Sequence, residues 1–127
     1  MQIRPLGYDP ESDELDLLID TDLSVPAEAV PLDAGIYIRR ERVSGRVVGA
    51  FVRGYSHLIR RLHAGETVPM EVARAAGLAQ EFQEIVSWLT ETANLSERLM
   101  KRLGALPEQR ELLESLLELH ATTTSDA

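Results

Sequence analysis

The chain has no cysteine and few aromatic side chains: one tryptophan, two phenylalanines and three tyrosines in 127 residues. Without thiols, disulfide frameworks, cysteine-based zinc sites, thiol nucleophiles and redox pairs are excluded, and the absence agrees with a reducing compartment. No apolar run approaches the roughly 20 residues that a membrane-spanning helix needs. The opening MQIRPLGYDPE lacks the apolar segment of a secretion signal. The protein is therefore expected to be soluble and cytoplasmic. Catalytic signatures are missing as well. No serine sits in a GxSxG elbow, no histidine pair forms HExxH or HxxxH, and Gly45-Arg46-Val47-Val48-Gly49 lacks the Lys-Ser/Thr of a phosphate-binding loop. No cofactor is implied.

What the chain does have is charge in blocks. The net charge is -8, which argues against general nucleic-acid binding, because phosphate contacts need clustered cations. Residues 1–35 carry nine acids against Arg4, residues 36–62 carry seven arginines against Glu41, and residues 63–127 carry eleven acids against five bases. Acidic and basic blocks in neighbouring strands would complement each other across one sheet; a charged partner surface is the alternative.

Hydropathy periods divide the chain near residues 63–68. Leu15, Leu17 and Ile19 alternate with polar positions, as in a half-buried strand, after turn chemistry at Asp9-Pro10 and Ser12-Asp13. Pro26 and Pro31 mark residues 21–35 as loop, with a short extended piece around 29–32. Residues 35–43 and 46–55 read as a hairpin about a two-residue Ser44-Gly45 turn, with Val47, Phe51 and Tyr55 on one side and Val48, Ala50 and Val52 on the other. Helical spacing then takes over. Leu58, Ile59 and Leu62 form a short helix ending near Gly65, and Met70 through Leu89 describe one long amphipathic helix to about Ala93, weakened only locally by Gly77. Asn94 is read as restarting the helix as far as Leu103. Pro107 opens a last helix with a stripe at Leu112, Leu113, Leu116, Leu117 and Leu119. The expected fold is α+β: an antiparallel β-meander in residues 1–64, a helical bundle or hairpin in 65–121 and a tail in 122–127, forming one compact unit.

Tyr8-Asp9-Pro10-Glu11-Ser12-Asp13-Glu14-Leu15, then Asp33-Ala34-Gly35-Ile36, then Gly45-Arg46-Val47-Val48-Gly49 form a layout that resembles the bacterial domain of unknown function 2283 family, read roughly as YDxExDxL followed by GxVVG. The resemblance covers residues 3–55 and implies a compact β-meander; no enzymatic role is established for that family. Some relatives lie beside toxin-like partners, so it also implies an antitoxin-like association. The helices after Gly65 fall outside that pattern.

Three sets of residues are candidates for function. Asp9, Glu11 and Asp13, with Asp20 at the twelfth position, have the oxygen-ligand spacing of a calcium loop, but Glu14 stands where the turn needs glycine and Asp20 where a bidentate glutamate is usual. Asp16 with Asp20 or Asp33 is the carboxylate pair that acid–base work would need. His57, His63 and His120 read as surface residues. Arg39, Arg40, Arg42, Arg46 and Arg53, interleaved with Tyr37 and Tyr55, form a candidate single-strand nucleic-acid face. The helices carry the third set, an apolar stripe of Phe82, Ile85, Trp88, Leu89, Leu99, Leu103, Leu113, Leu116 and Leu117. More stripe than one small sheet can cover favours association with another protein or with a second copy, most simply a symmetric dimer. The sequence thus favours a non-catalytic protein acting through protein–protein or self-association. Use of the acidic 9–20 segment by a metal-dependent protein or enzyme, or of the strands from Arg39 to Arg53 by a nucleic-acid binder, are the alternatives.

Overall fold

The computed structural model describes residues 1–103, and the side chains of residue 93 and residues 95–103 are left aside. Five strands come first: β1 (Ile3–Asp9), β2 (Glu14–Ile19), β3 (Glu28–Pro31), β4 (Ile36–Arg40) and β5 (Val47–Arg53). They form one antiparallel sheet in the order β1-β2-β5-β4-β3. Three helices follow: α1 (Tyr55–His63), α2 (Glu71–Ala75) and α3 (Ala79–Leu103). The fold is α+β. Strands β3, β4 and β5 form a meander, and β5 returns beside β2 in the middle of the sheet.

Alternation decides which side chains meet the helices. Leu15, Leu17 and Ile19 of β2, Ile36 and Ile38 of β4, and Ala50 and Val52 of β5 are all buried in one cluster with Tyr55, Leu58, Ile59 and Leu62 of α1 and Phe82, Ile85 and Leu89 of α3. Each such aliphatic side chain contributes about 1.5–3 kcal/mol when fully removed from water, so this single layer between sheet and helices dominates the stability of the fold. Two bulges edit the alternation. At Leu6 the β1 register slips between Pro5 and Gly7, and Leu6 is half exposed. Between Arg39 and Arg40 the partner changes from Gly49 to Val47, so Val47 packs on the core while Val48 is buried apart from it. The sequence expectation had these two valines the other way round.

The hairpin turn also differs from expectation. Glu41 N–H bonds the Arg46 carbonyl and Gly45 N–H bonds the Glu41 carbonyl, which makes a four-residue loop with Gly45 in the left-handed region. A two-residue turn at Ser44-Gly45 would set Tyr37 opposite Val52. The observed loop and bulge set it opposite Phe51, and a one-residue slip decides which side chains share a face.

In the helical half, Gly77 ends α2 rather than weakening a longer helix. Its φ of 72° is the left-handed cap conformation, with Gly77 N–H bonded to the Arg74 carbonyl and Leu78 N–H to the Ala73 carbonyl. This change of direction lets both Ala73 and Leu78 enter the core. Asn94 starts nothing, because α3 runs through it to Leu103 without a break. The long-helix and restart expectations are both corrected. Among the described residues no helix is long and apolar enough to cross a membrane.

Candidate interaction face

The acidic turn that stands out in the sequence proves to be an anchor for helix α1. Asp13 takes a left-handed φ of 53°, and its backbone carbonyl accepts from Gly54 N–H and Tyr55 N–H at 3.0 and 3.1 Å. Its carboxylate accepts the Ser56 N–H at 3.1 Å, the Ser56 hydroxyl at 2.7 Å and the Tyr8 hydroxyl at 2.5 Å. The N-cap residue itself, Gly54, has no side chain, so an aspartate 43 residues away satisfies the orphan donors of the first turn. Burial, then the bond to Asp13, pushes the Tyr8 phenol far above its ordinary pKa, and burial does the same to Tyr55, which meets Tyr8 edge to face at 5.7 Å.

The other acids are engaged in the same way. Asp33 Oδ2 accepts Val72 N–H and Ala73 N–H at 3.1 and 3.3 Å, capping α2 from outside. Asp20 accepts Gln2 N–H at 2.6 Å, and Asp9 accepts Glu11 N–H at 3.0 Å in a local turn. Of the metal candidates Asp9, Glu11, Asp13 and Asp20, Asp13 and Asp20 are tied to partners in different parts of the chain, and Asp9 accepts from the Glu11 backbone. Among the described residues no group of three or more His, Asp or Glu side chains could hold a metal ion. Asp16, Asp20 and Asp33 have distinct neighbours and do not form the acid–base pair that was considered. His57 and His63 are exposed, and His120 lies outside the described residues. A cleft of about 700 Å³ between the start of β1 and α3 is lined by Ser87, Trp88 and the carboxylates of Asp20, Glu84 and Glu91, and among the described residues no histidine, lysine or arginine stands in its wall to activate the serine.

The described part of the helical stripe is likewise spent inside the chain. Phe82, Ile85 and Leu89 are fully buried and Trp88 is 8% exposed, so these four side chains belong to the core and offer no surface to a partner. Leu99 and Leu103 lie on α3, with side chains that are not described, and Leu113, Leu116 and Leu117 lie outside the described residues.

What the helices leave uncovered is the other face of the sheet. Its outward positions are Glu14, Asp16 and Leu18 on β2, Gly49, Phe51 and Arg53 on β5, and Tyr37 and Arg39 on β4; Leu18 and Gly49 are buried, and the part that stays open is the end around Asp16, Tyr37, Phe51 and Arg53. Tyr37 and Phe51, direct cross-strand partners, stack with centroids 4.6 Å apart and planes within 9° of parallel. The Arg53 guanidinium lies 5.0 Å from the Tyr37 ring centre and 5.6 Å from that of Phe51, an arrangement worth about 0.5–1 kcal/mol at an exposed site. Gly49 keeps the centre flat: a Cβ there would stand 2.8 Å from the Leu17 carbonyl oxygen and within 3.7 Å of the Arg39 side chain. Arg39 in turn donates to the Val25 carbonyl at 3.1 Å and ties down the connection between β2 and β3. The sequence named Tyr55 as the second stacking ring. It is buried instead, and Phe51 takes that place.

Charge on this face is balanced. Arg53 sits 3.6 Å from Glu14, its register partner, and Arg4 pairs with Asp22 at 2.6 Å. Away from the face, Arg40 and Arg42 share Glu28 at 3.1 and 3.8 Å. The arginine block and the acidic block thus complement each other within the sheet; exposed pairs of this kind contribute only about 0–1 kcal/mol each. Asp16 is the outward acid with no hydrogen-bonded ion pair among these. Burial pushes its carboxyl above the ordinary range, the Glu14 charge adds to this, and Arg39 opposes it.

That shift has a measurable sign. The folded chain holds the Asp16 proton to higher pH than the unfolded chain, so stability falls as pH rises through the interval above the ordinary carboxylate pKa. Asp16→Asn removes the ionisation. Urea unfolding is expected to find the variant gaining on the parent as pH rises from strongly acid to neutral, and a difference that stays flat with pH would contradict the assignment.

In comparisons with known proteins, no family model matches this chain, and no curated protein or solved structure matches it.

Proposed function

We propose that this chain is a non-catalytic protein-binding module whose working surface is the sheet face around Tyr37, Phe51 and Arg53. The observation that carries this reading is a stacked aromatic pair topped by an arginine, on a face that the chain's own helices do not use and whose charges are compensated. Aromatic residues and arginine are the types enriched where proteins meet, and they supply most binding hot spots. A protein surface tolerates a balanced patch, whereas a polyanion does not reward one. The antitoxin-like association implied by the family resemblance is one form such binding takes.

Single-stranded nucleic acid is the second reading, favoured by two rings on adjacent central strands of an antiparallel sheet. Against it, the rings stack on each other and carry Arg53, which leaves little free π-surface for a base. Nucleic-acid affinity that collapses with rising salt would favour this second reading.

The test is affinity isolation and native-mass measurement of the parent, Phe51→Glu and Val43→Glu. Val43, 97% exposed on the hairpin tip, serves as a control for adding charge away from the face. A partner, whether another protein or a second copy, is expected with the parent and Val43→Glu and is lost from Phe51→Glu, which melts a few degrees lower for want of the Tyr37 stack but stays folded by circular dichroism at the temperature of the assay. A parent that carries no partner, or one bound equally by Phe51→Glu, would contradict the proposal.

A further inference from the structure

We infer that the partner on this sheet face is a second copy of the chain, related by a two-fold axis that runs along β5 through Phe51. This rests on the reading just given and names the occupant of that surface. The argument comes from register. Asp16 on β2 and Tyr37 on β4 are both direct cross-strand partners of Phe51, so they stand level with each other on its two sides. The β2 side of the face is acidic, with Glu14 and Asp16, and the β4 side carries the phenol of Tyr37 and the guanidinium of Arg39. Rotation by half a turn about an axis along β5 lays β4 of one copy over β2 of the other. Tyr37 then faces the carboxylate of Asp16, to which its hydroxyl donates, and Phe51 meets its own counterpart, while Arg39 stays bonded to the Val25 carbonyl of its own copy. A two-fold axis perpendicular to the strands would instead set Asp16 against Asp16, which like charge disfavours. The patch is therefore self-complementary in one orientation, as an isologous interface requires.

Area sets the strength. A five-stranded face of this length offers at most roughly 500 Å², part of it closed off by the connection that Arg39 holds, so two copies bury no more than about 1,000 Å², at the lower limit for a specific interface. The dimer is accordingly a reversible one that dissociates on dilution, with Kd on the order of micromolar or weaker.

The absence of cysteine makes the test clean, since any introduced thiol is the only one. Packed sheets lie about 10 Å apart, within the span of a short bismaleimide. Phe51→Cys is expected to cross-link to itself. Asp16→Cys and Tyr37→Cys are each expected to cross-link poorly alone and efficiently when mixed, and sedimentation of the unlabelled parent is expected to show a monomer–dimer equilibrium. Phe51→Glu is expected to raise the dimer Kd by about tenfold or more. A parent that remains monomeric at the highest soluble concentration, or Asp16→Cys alone cross-linking as well as the mixture, would overturn the inference. A monomer whose sheet face still captures a different protein, lost in Phe51→Glu, would overturn the two-fold dimer and leave the binding module standing.

Discussion

Gly35→Ala is expected to be the most damaging single substitution in the sheet, lowering stability by more than about 3 kcal/mol and leaving little folded protein at physiological temperature. Two costs combine at this position. Gly35 has φ of 76°, next to Ala34 at 59°, in the short 3₁₀ turn that feeds β4. An added Cβ would also collide with the carbonyl oxygen of Arg53, a backbone atom at the end of the central strand that cannot swing aside. Gly45 separates the two costs. It has φ of 72° with nothing near its missing Cβ, so Gly45→Ala carries the backbone strain alone, about 1 kcal/mol. Chemical denaturation of both variants should therefore give a loss at Gly35 at least twice that at Gly45. Equal losses would mean that the close approach to Arg53 is absent in solution.

The second large effect is expected at Asp13. Asp13→Ala removes the acceptor for Ser56 N–H, the Ser56 hydroxyl and the Tyr8 hydroxyl together, and it places alanine at a positive φ. Loss of a cap costs about 1 kcal/mol and stranded part-buried donors cost more, so a total of about 2–4 kcal/mol is expected. Asp13→Asn, which tolerates the left-handed conformation and keeps an acceptor, should lose much less. Asp33→Ala, which uncaps only the five-residue α2, should lose about 1 kcal/mol. Thermal unfolding of the three variants gives the order directly. The metal reading of this turn predicts something different, namely a parent stabilised by millimolar calcium and destabilised by chelator. The capping role predicts melting that responds to neither.

How far the sequence could be read is clearest at particular residues. Strands β2, β4 and β5 are legible because Leu15, Leu17, Ile36, Ile38, Ala50 and Val52 keep period two on a half-buried sheet. β1 is not, because Pro5, the bulged Leu6 and Gly7 interrupt the pattern. Period also revealed the stripe of α3 but not its destination. Phe82, Ile85 and Leu89 were as compatible with an interface as with a core, and they end in the one cluster shared by the sheet and α1. Asp13 looked like a ligand because its capping partner lies 43 residues away, a distance that no local motif spans. The aromatic pair was half visible. Tyr37 was singled out, but the two-residue turn assumed at Ser44-Gly45 shifts the pairing by one residue and hides Phe51 from it. A four-residue loop from Arg42 to Gly45 together with the bulge after Arg39 gives the pair, and the bulge has no signal in the sequence.

The proposed binding places any protein partner on the sheet face around Phe51 and not on the helical side. Backbone amide NMR of the parent over a dilution series from about 1 mM to about 10 µM, a range that brackets the affinity expected of so small an interface, addresses it most directly. The account predicts concentration-dependent shifts confined to residues 14–18, 36–39 and 49–53, with α1 and α3 unchanged. Shifts that cluster on α1 and α3 while the sheet stays silent would contradict it.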